Sequence, residues 1–79
     1  MDGFTGGWLY TGKPCAIFQE GDIFLCVNED GKIGTARKIS DTQLMIFPGT
    51  AWGGPPNFTG TLMNGLLIWS NGTFWSRPA

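Results

Sequence analysis

The sequence predicts an all-β domain, a small antiparallel meander barrel or strongly curled sheet of about seven or eight short strands. Three observations carry that prediction. Asn-Gly occurs twice in the last third, at Asn64-Gly65 and Asn71-Gly72, each time between apolar runs. A type I′ turn needs φ > 0 at both central residues, so this dipeptide is the strongest short-range hairpin signal. The thirteen Gly and five Pro fall as punctuation between stretches of Val, Ile, Thr and aromatic residues, as strand ends demand. No segment of useful length has helical periodicity.

Each turn imposes a register on its strands. Glu20-Gly21 reads as a two-residue turn that pairs Phe18 with Ile23, Ala16 with Leu25 and Cys15 with Cys26. Asn28-Glu29-Asp30-Gly31-Lys32 fits a type I turn closed by Gly31 in the αL position of a bulge, which pairs Val27 with Ile33 and Leu25 with Thr35. Ser40-Asp41 then pairs Ile39 with Thr42 and Arg37 with Leu44. The irregular stretch from Pro48 to Pro56 separates these strands from a C-terminal three-stranded meander. There Asn64-Gly65 sets Leu62 against Leu67 and Gly60 against Trp69, whose ring can lie over the bare backbone. Asn71-Gly72 sets Trp69 against Phe74 and Ile68 against Trp75.

A one-residue slip flips every side chain, so agreement between independent turns is evidence for a face. The three N-terminal turns agree on Ala16, Phe18, Ile23, Leu25, Val27, Ile33, Ile39, Leu44 and Ile46 as the core. The opposite face, with Cys15, Ile17, Phe24, Cys26, Ala36, Met45 and Phe47, is apolar as well, where a one-layer sheet would be polar. A two-sided apolar sheet points to an interface, with Ile17, Phe24, Met45 and Phe47 at its centre and a homo-oligomer as the outcome. The other reading is a second layer supplied by Phe4, Trp8, Tyr10 and the Trp52 loop.

The 79 residues make one domain with a small core, yet they include four Trp, six Phe and one Tyr. The net charge is −1, and Lys32, Arg37 and Lys38 form one small basic spot. The electrostatic footprint of a nucleic-acid binder is therefore missing. No run of roughly 18 apolar residues offers a membrane span. The N-terminus lacks a basic n-region and an apolar h-region, so with Met1 present a cytoplasmic protein is expected.

Gly6-Gly7-Trp8 has the Gly-x-Trp form, and Arg77 lies on the last expected strand. In this combination the chain resembles the calycins, the lipocalin and avidin group of up-and-down barrels. The resemblance implies that Trp8 packs under Arg77, and that Ile23 to Gly34 forms the second hairpin of such a barrel. Calycins are considerably longer, so short strands and a small pocket are expected here. Glu20-Gly21-Asp22-Ile23 before an apolar strand also resembles SH3-like barrels, whose later strand spacing fits less well.

Little catalytic chemistry is legible. The chain has no His, which removes Ser-His-Asp and Cys-His catalysis and the usual general base. Two Cys cannot hold a structural zinc within one chain. Cys15 and Cys26 read as buried thiols rather than a disulfide, because a hydrogen-bonded pair splays its side chains and a cytosol keeps thiols reduced. Asp2, Glu20, Asp22, Glu29, Asp30 and Asp41 read as turn-forming and solubilising carboxylates. The Asn28 turn lacks the ligand run of an EF-hand, and no Gly-rich loop precedes a helix. No catalytic residue, metal or cofactor is therefore expected.

The expected function is a non-enzymatic binding module holding a small molecule or carbohydrate against exposed aromatics, with amides fixing its orientation. Trp52, Trp69, Trp75, Asn57 and Asn71 are its candidate residues. Trp52, among Gly and Pro in the long loop, either meets the ligand or plugs the barrel end. The alternative is a homo-oligomeric structural or protein-interaction domain using the second apolar face.

Overall fold

Eight antiparallel strands follow one another in chain order and close on themselves in the computed structural model, which describes residues 3–52 and 58–78. They are β1 (Gly6–Tyr10), β2 (Lys13–Glu20), β3 (Ile23–Val27), β4 (Ile33–Ser40), β5 (Gln43–Ile46), β6 (Thr59–Met63), β7 (Leu66–Trp69) and β8 (Phe74–Ser76). Closure removes the exposed sheet edges that would otherwise invite pairing with another chain. No helix among the described residues is long and apolar enough to cross a membrane.

The turns show where local sequence sets register. The Asn28 loop has Gly31 at φ 79 and pairs Val27 with Ile33, as its residues predict. Asn64 and Gly65 both have positive φ and set Gly60 opposite Trp69, also as expected. The β2–β3 turn is centred on Gly21-Asp22 instead of Glu20-Gly21, so Phe18 faces Leu25 and Ile17 faces Cys26. Gly21, at φ 59, takes the first central position, where a type II′ turn wants glycine. Cys26 thus faces Ile17 instead of Cys15, which pairs with Trp8 on the β1 side, and both cysteines are free thiols.

Asn71-Gly72 does not form a two-residue turn. Gly72 alone has positive φ, Gly72 N–H donates to the Trp69 carbonyl, and Trp69 N–H donates to the Thr73 carbonyl. The same bonding pattern closes the Asn28 loop. The extra loop residue moves the register by one, so Ile68 pairs with Phe74 and Leu67 with Trp75. Trp69 and Trp75 thereby share the inner face, and Phe74 points outward at 53% exposure.

The largest correction concerns the faces of β2 to β4. Ile17 and Phe24, expected at an interface, are fully buried in the barrel with Cys15, Cys26 and Ala36. Phe18, Ile33 and Ile39, expected in the core, are about half exposed. Met45 and Phe47 remain on the outside, half-buried. The cause is a bulge between Lys38 and Ser40, which pairs Ala36 with Ile46 and Lys38 with Leu44. One extra residue there carries Leu44 and Ile46 onto the Ala36 face. Volume supports the same choice, because a narrow barrel must alternate small and large side chains inside. The Cys15, Cys26, Gly34, Ala36 face leaves room for Phe24 and the indoles; the Phe18, Leu25, Ile33 face would not.

The two barrel ends differ. At the end holding the β2–β3, β4–β5 and β6–β7 turns, the N-terminal segment folds in and buries Phe4 completely. Trp8 Nε1 donates to the Phe4 carbonyl at 2.8 Å. Strand pairing between β1 and β8 is limited to Leu9 with Ser76. Arg77 completes the seam, its guanidinium donating to the carbonyls of Gly3, Thr5 and Gly7. Gly3 and Gly6, at φ 82 and 124, bend this segment on its way to Arg77.

Candidate functional site

The other end carries the β1–β2, β3–β4 and β7–β8 turns with the described part of the β5–β6 loop, and among these residues lies a cleft. The cavity measures about 230 Å³ and is lined by aromatic residues from four elements, with Asn28, Glu29, Asn71 and Thr73 around them. Trp69, Trp75 and Asn71, expected together as ligand-binding residues, are brought together there with Trp52. Asn57, the fifth candidate, lies outside the described residues.

Two glycines seat the indoles. A Cβ on Gly60 would stand 2.7 Å from Trp69 Cζ3, and one on Gly34 would stand 2.7 Å from Trp52 Cδ2. Each ring therefore lies directly on bare backbone of a neighbouring strand. Trp52 is further fixed by its Nε1–H, which donates to the Lys32 carbonyl at 3.0 Å. Trp69 stacks parallel to Phe58 at 5.6 Å and meets Trp52 and Trp75 edge-on at 4.9 and 5.0 Å. Edge-to-face contacts of this kind each add about 0.5–1.5 kcal/mol beyond the area they bury. The expectation of exposed aromatics is thus only half met. Trp52 is half-buried, whereas Trp69 and Trp75 form a buried floor.

Ser70 ties the floor to β6, since its hydroxyl accepts from Thr59 N–H and its own N–H donates to the Thr59 carbonyl. The two asparagines of the cleft have their carbonyl oxygens occupied by their own turns. Asn28 Oδ1 accepts from Asp30 N–H and Lys32 N–H. Asn71 Oδ1 accepts from Thr73 N–H and the Thr73 hydroxyl. Their amide NH2 groups are donors that these turns do not use. Deeper in, Trp69 Nε1 is buried without a hydrogen-bond partner among the described residues.

The charges at this end are mixed, with Lys13, Lys32 and Asp30 exposed around the cleft. Glu29 is the carboxylate of the lining. It also helps raise the Cys15 thiol, which burial first and Glu29 second push up to about 11. Burial alone pushes Cys26 up to about 12. Both are neutral thiols without the activating cation a nucleophile needs.

Glu29, Tyr10 and Phe58 were not among the sequence candidates. Glu29 read only as a turn residue, and the signal that could have added it is its place in the one N-terminal turn whose register was legible throughout. No protein-family model, curated protein or solved structure matches this chain.

Proposed function

We propose that the protein is a non-enzymatic binding module whose open barrel end takes a small ring-bearing molecule, a sugar in the first instance. The supporting observation is the lining itself, in which Tyr10, Trp52, Phe58, Trp69 and Trp75 meet Asn28 and Asn71, whose amide NH2 groups their own turns leave unused. The aromatic walls supply apolar ring faces, and Asn28, Asn71 and Thr73 supply orienting polar groups. At about 230 Å³ the space falls below the roughly 300–1,000 Å³ of drug-sized sites, which favours a single ring. Kinship with calycins is part of this reading, supported by the Arg77 guanidinium 3.8 Å above the Trp8 ring at the closed end. The test is a titration of monosaccharides followed at the indole N–H resonances. A saturable shift of the Trp69 signal, lost in Trp52→Ala with the fold retained, is expected. If no sugar or ring compound moves that resonance, the reading fails.

A second reading is self-association through the outer sheet. Ala16, Val27 and Ile33 form one cross-strand row, and Phe18, Leu25, Thr35 and Phe47 form the next. Phe18 and Ile33 are about half exposed, so the band is apolar and accessible, and larger apolar patches of this kind mark interaction sites. This surface replaces Ile17 and Phe24 as the candidate interface and retains Phe47. Light scattering over a hundredfold concentration range decides it. A dimer converted to monomer by Phe18→Asp supports it, and a parent protein that stays monomeric rejects it.

A further inference from the structure

Resting on the proposed ligand site, we infer that the cleft selects a cationic ring, an amino sugar or ring amine of that size, with its ammonium paired to Glu29. Three features of the lining converge on this class. Among the described residues that line the cleft, Glu29 is the only one with a formal charge, and no Lys or Arg accompanies it. Lys13 and Lys32 stand at the same barrel end but are exposed and outside the lining.

The aromatic wall acts in the same direction. The face of an indole carries negative quadrupole density, and Trp is the best of the aromatic partners for an organic cation. Three of the four tryptophans, with Tyr10 and Phe58, line this one space. An anion would meet those ring faces and Glu29 with no opposing charge, in a site partly withdrawn from water, where charges interact more strongly.

The neutral polar groups complete the recognition without altering the sign. The NH2 groups of Asn28 and Asn71 are donors, which suit hydroxyl and ring oxygens. Glu29 is the acceptor an ammonium needs. The proposed ligand therefore offers acceptors along its ring and a single cationic donor on its edge.

Glucose, glucosamine and glucuronate share one ring and differ in charge, so they separate this inference from the reading beneath it. They are titrated at low salt and pH 6, where the amine is protonated, against the parent protein and Glu29→Gln. Glucosamine is expected to bind about tenfold more tightly than glucose, the worth of one charge-assisted contact, and glucuronate more weakly than either. Glu29→Gln brings glucosamine within about twofold of glucose. Equal binding of glucose and glucosamine, both moving the Trp69 indole resonance, overturns the charge selectivity and leaves the site standing. Tightest binding by glucuronate overturns it also. Movement of that resonance by none of the three overturns both.

Discussion

The guanidinium carbon of Arg77 lies 3.8 Å from the centre of the Trp8 ring, and the same side chain bonds three carbonyls of the N-terminal segment. One residue thus caps the buried indole and closes the barrel where β1 and β8 share a single residue pair. Gly6 belongs to the arrangement, because its φ is 124 and a Cβ there would stand 2.9 Å from Arg77 Nη1. The Gly-x-Trp spacing and the distant Arg are one contact.

Arg77→Ala removes a cation–π contact and charge-assisted bonds to backbone, and is expected to cost about 2–3 kcal/mol. Arg77→Lys restores little, since an ammonium lacks the planar fork that reaches several carbonyls at once. Urea midpoints of the two variants check this. A Lys variant as stable as the parent would show that charge alone holds the seam.

Thr11 is β-branched yet adopts φ 50 ahead of Gly12 in the β1–β2 turn. That geometry is a type I′ turn, where Asn is the favoured first residue. Thr11→Asn is expected to stabilise the protein by about 0.5–1 kcal/mol, read as a raised thermal midpoint.

Gly60→Ala and Gly34→Ala place a Cβ inside van der Waals contact of Trp69 and Trp52 respectively. Overpacking of this kind costs about 1–3 kcal/mol. Gly60→Ala should be the worse of the two, because Trp69 is enclosed by Phe58, Trp52 and Trp75, whereas Trp52 is half-buried and can tilt outward. Thermal midpoints compared with tryptophan emission separate strain from displacement.

The thiols of Cys15 and Cys26 are raised from 9.0 to about 11 and about 12 by burial, with Glu29 adding to the first. Raised folded-state values favour the protonated fold, so this contribution is fully present below pH 9 and is lost as pH climbs toward 12. Unfolding midpoints should be flat in this respect through neutral pH and fall in that alkaline window. Native protein should also resist iodoacetamide at pH 8, and alkylation at the rate of an unfolded control would contradict the burial.

The hairpins were legible to different depths. Asn28-Glu29-Asp30-Gly31 admits one loop geometry, and Asn64-Gly65 takes the two-residue form of the two open to Asn-Gly, so both registers match the strands. Asn71-Gly72 admits two, because Asn-Gly serves a two-residue I′ turn and also the end of a three-residue loop closed by an αL glycine. Nothing local decides between them. The bonds of Trp69 to Thr73 and Gly72 select the longer loop, which is the one that buries both Trp69 and Trp75.

The sequence by itself determined the all-β class, the meander order, five hairpin positions to within a residue and the registers of β3–β4 and β6–β7, with Gly60 opposite Trp69, since these depend on residues a few positions apart. The tertiary structure decided which apolar face turns inward and which side chains meet at the open end. A bulge near Ile39 reverses the relation between β4 and β5, and a narrow closed barrel admits only the face rich in Cys, Gly and Ala. Trp52 joins Trp69 because Gly34, on a strand distant in sequence, leaves its ring a place to lie. Closure and volume are properties of all eight strands together, and no single turn encodes them.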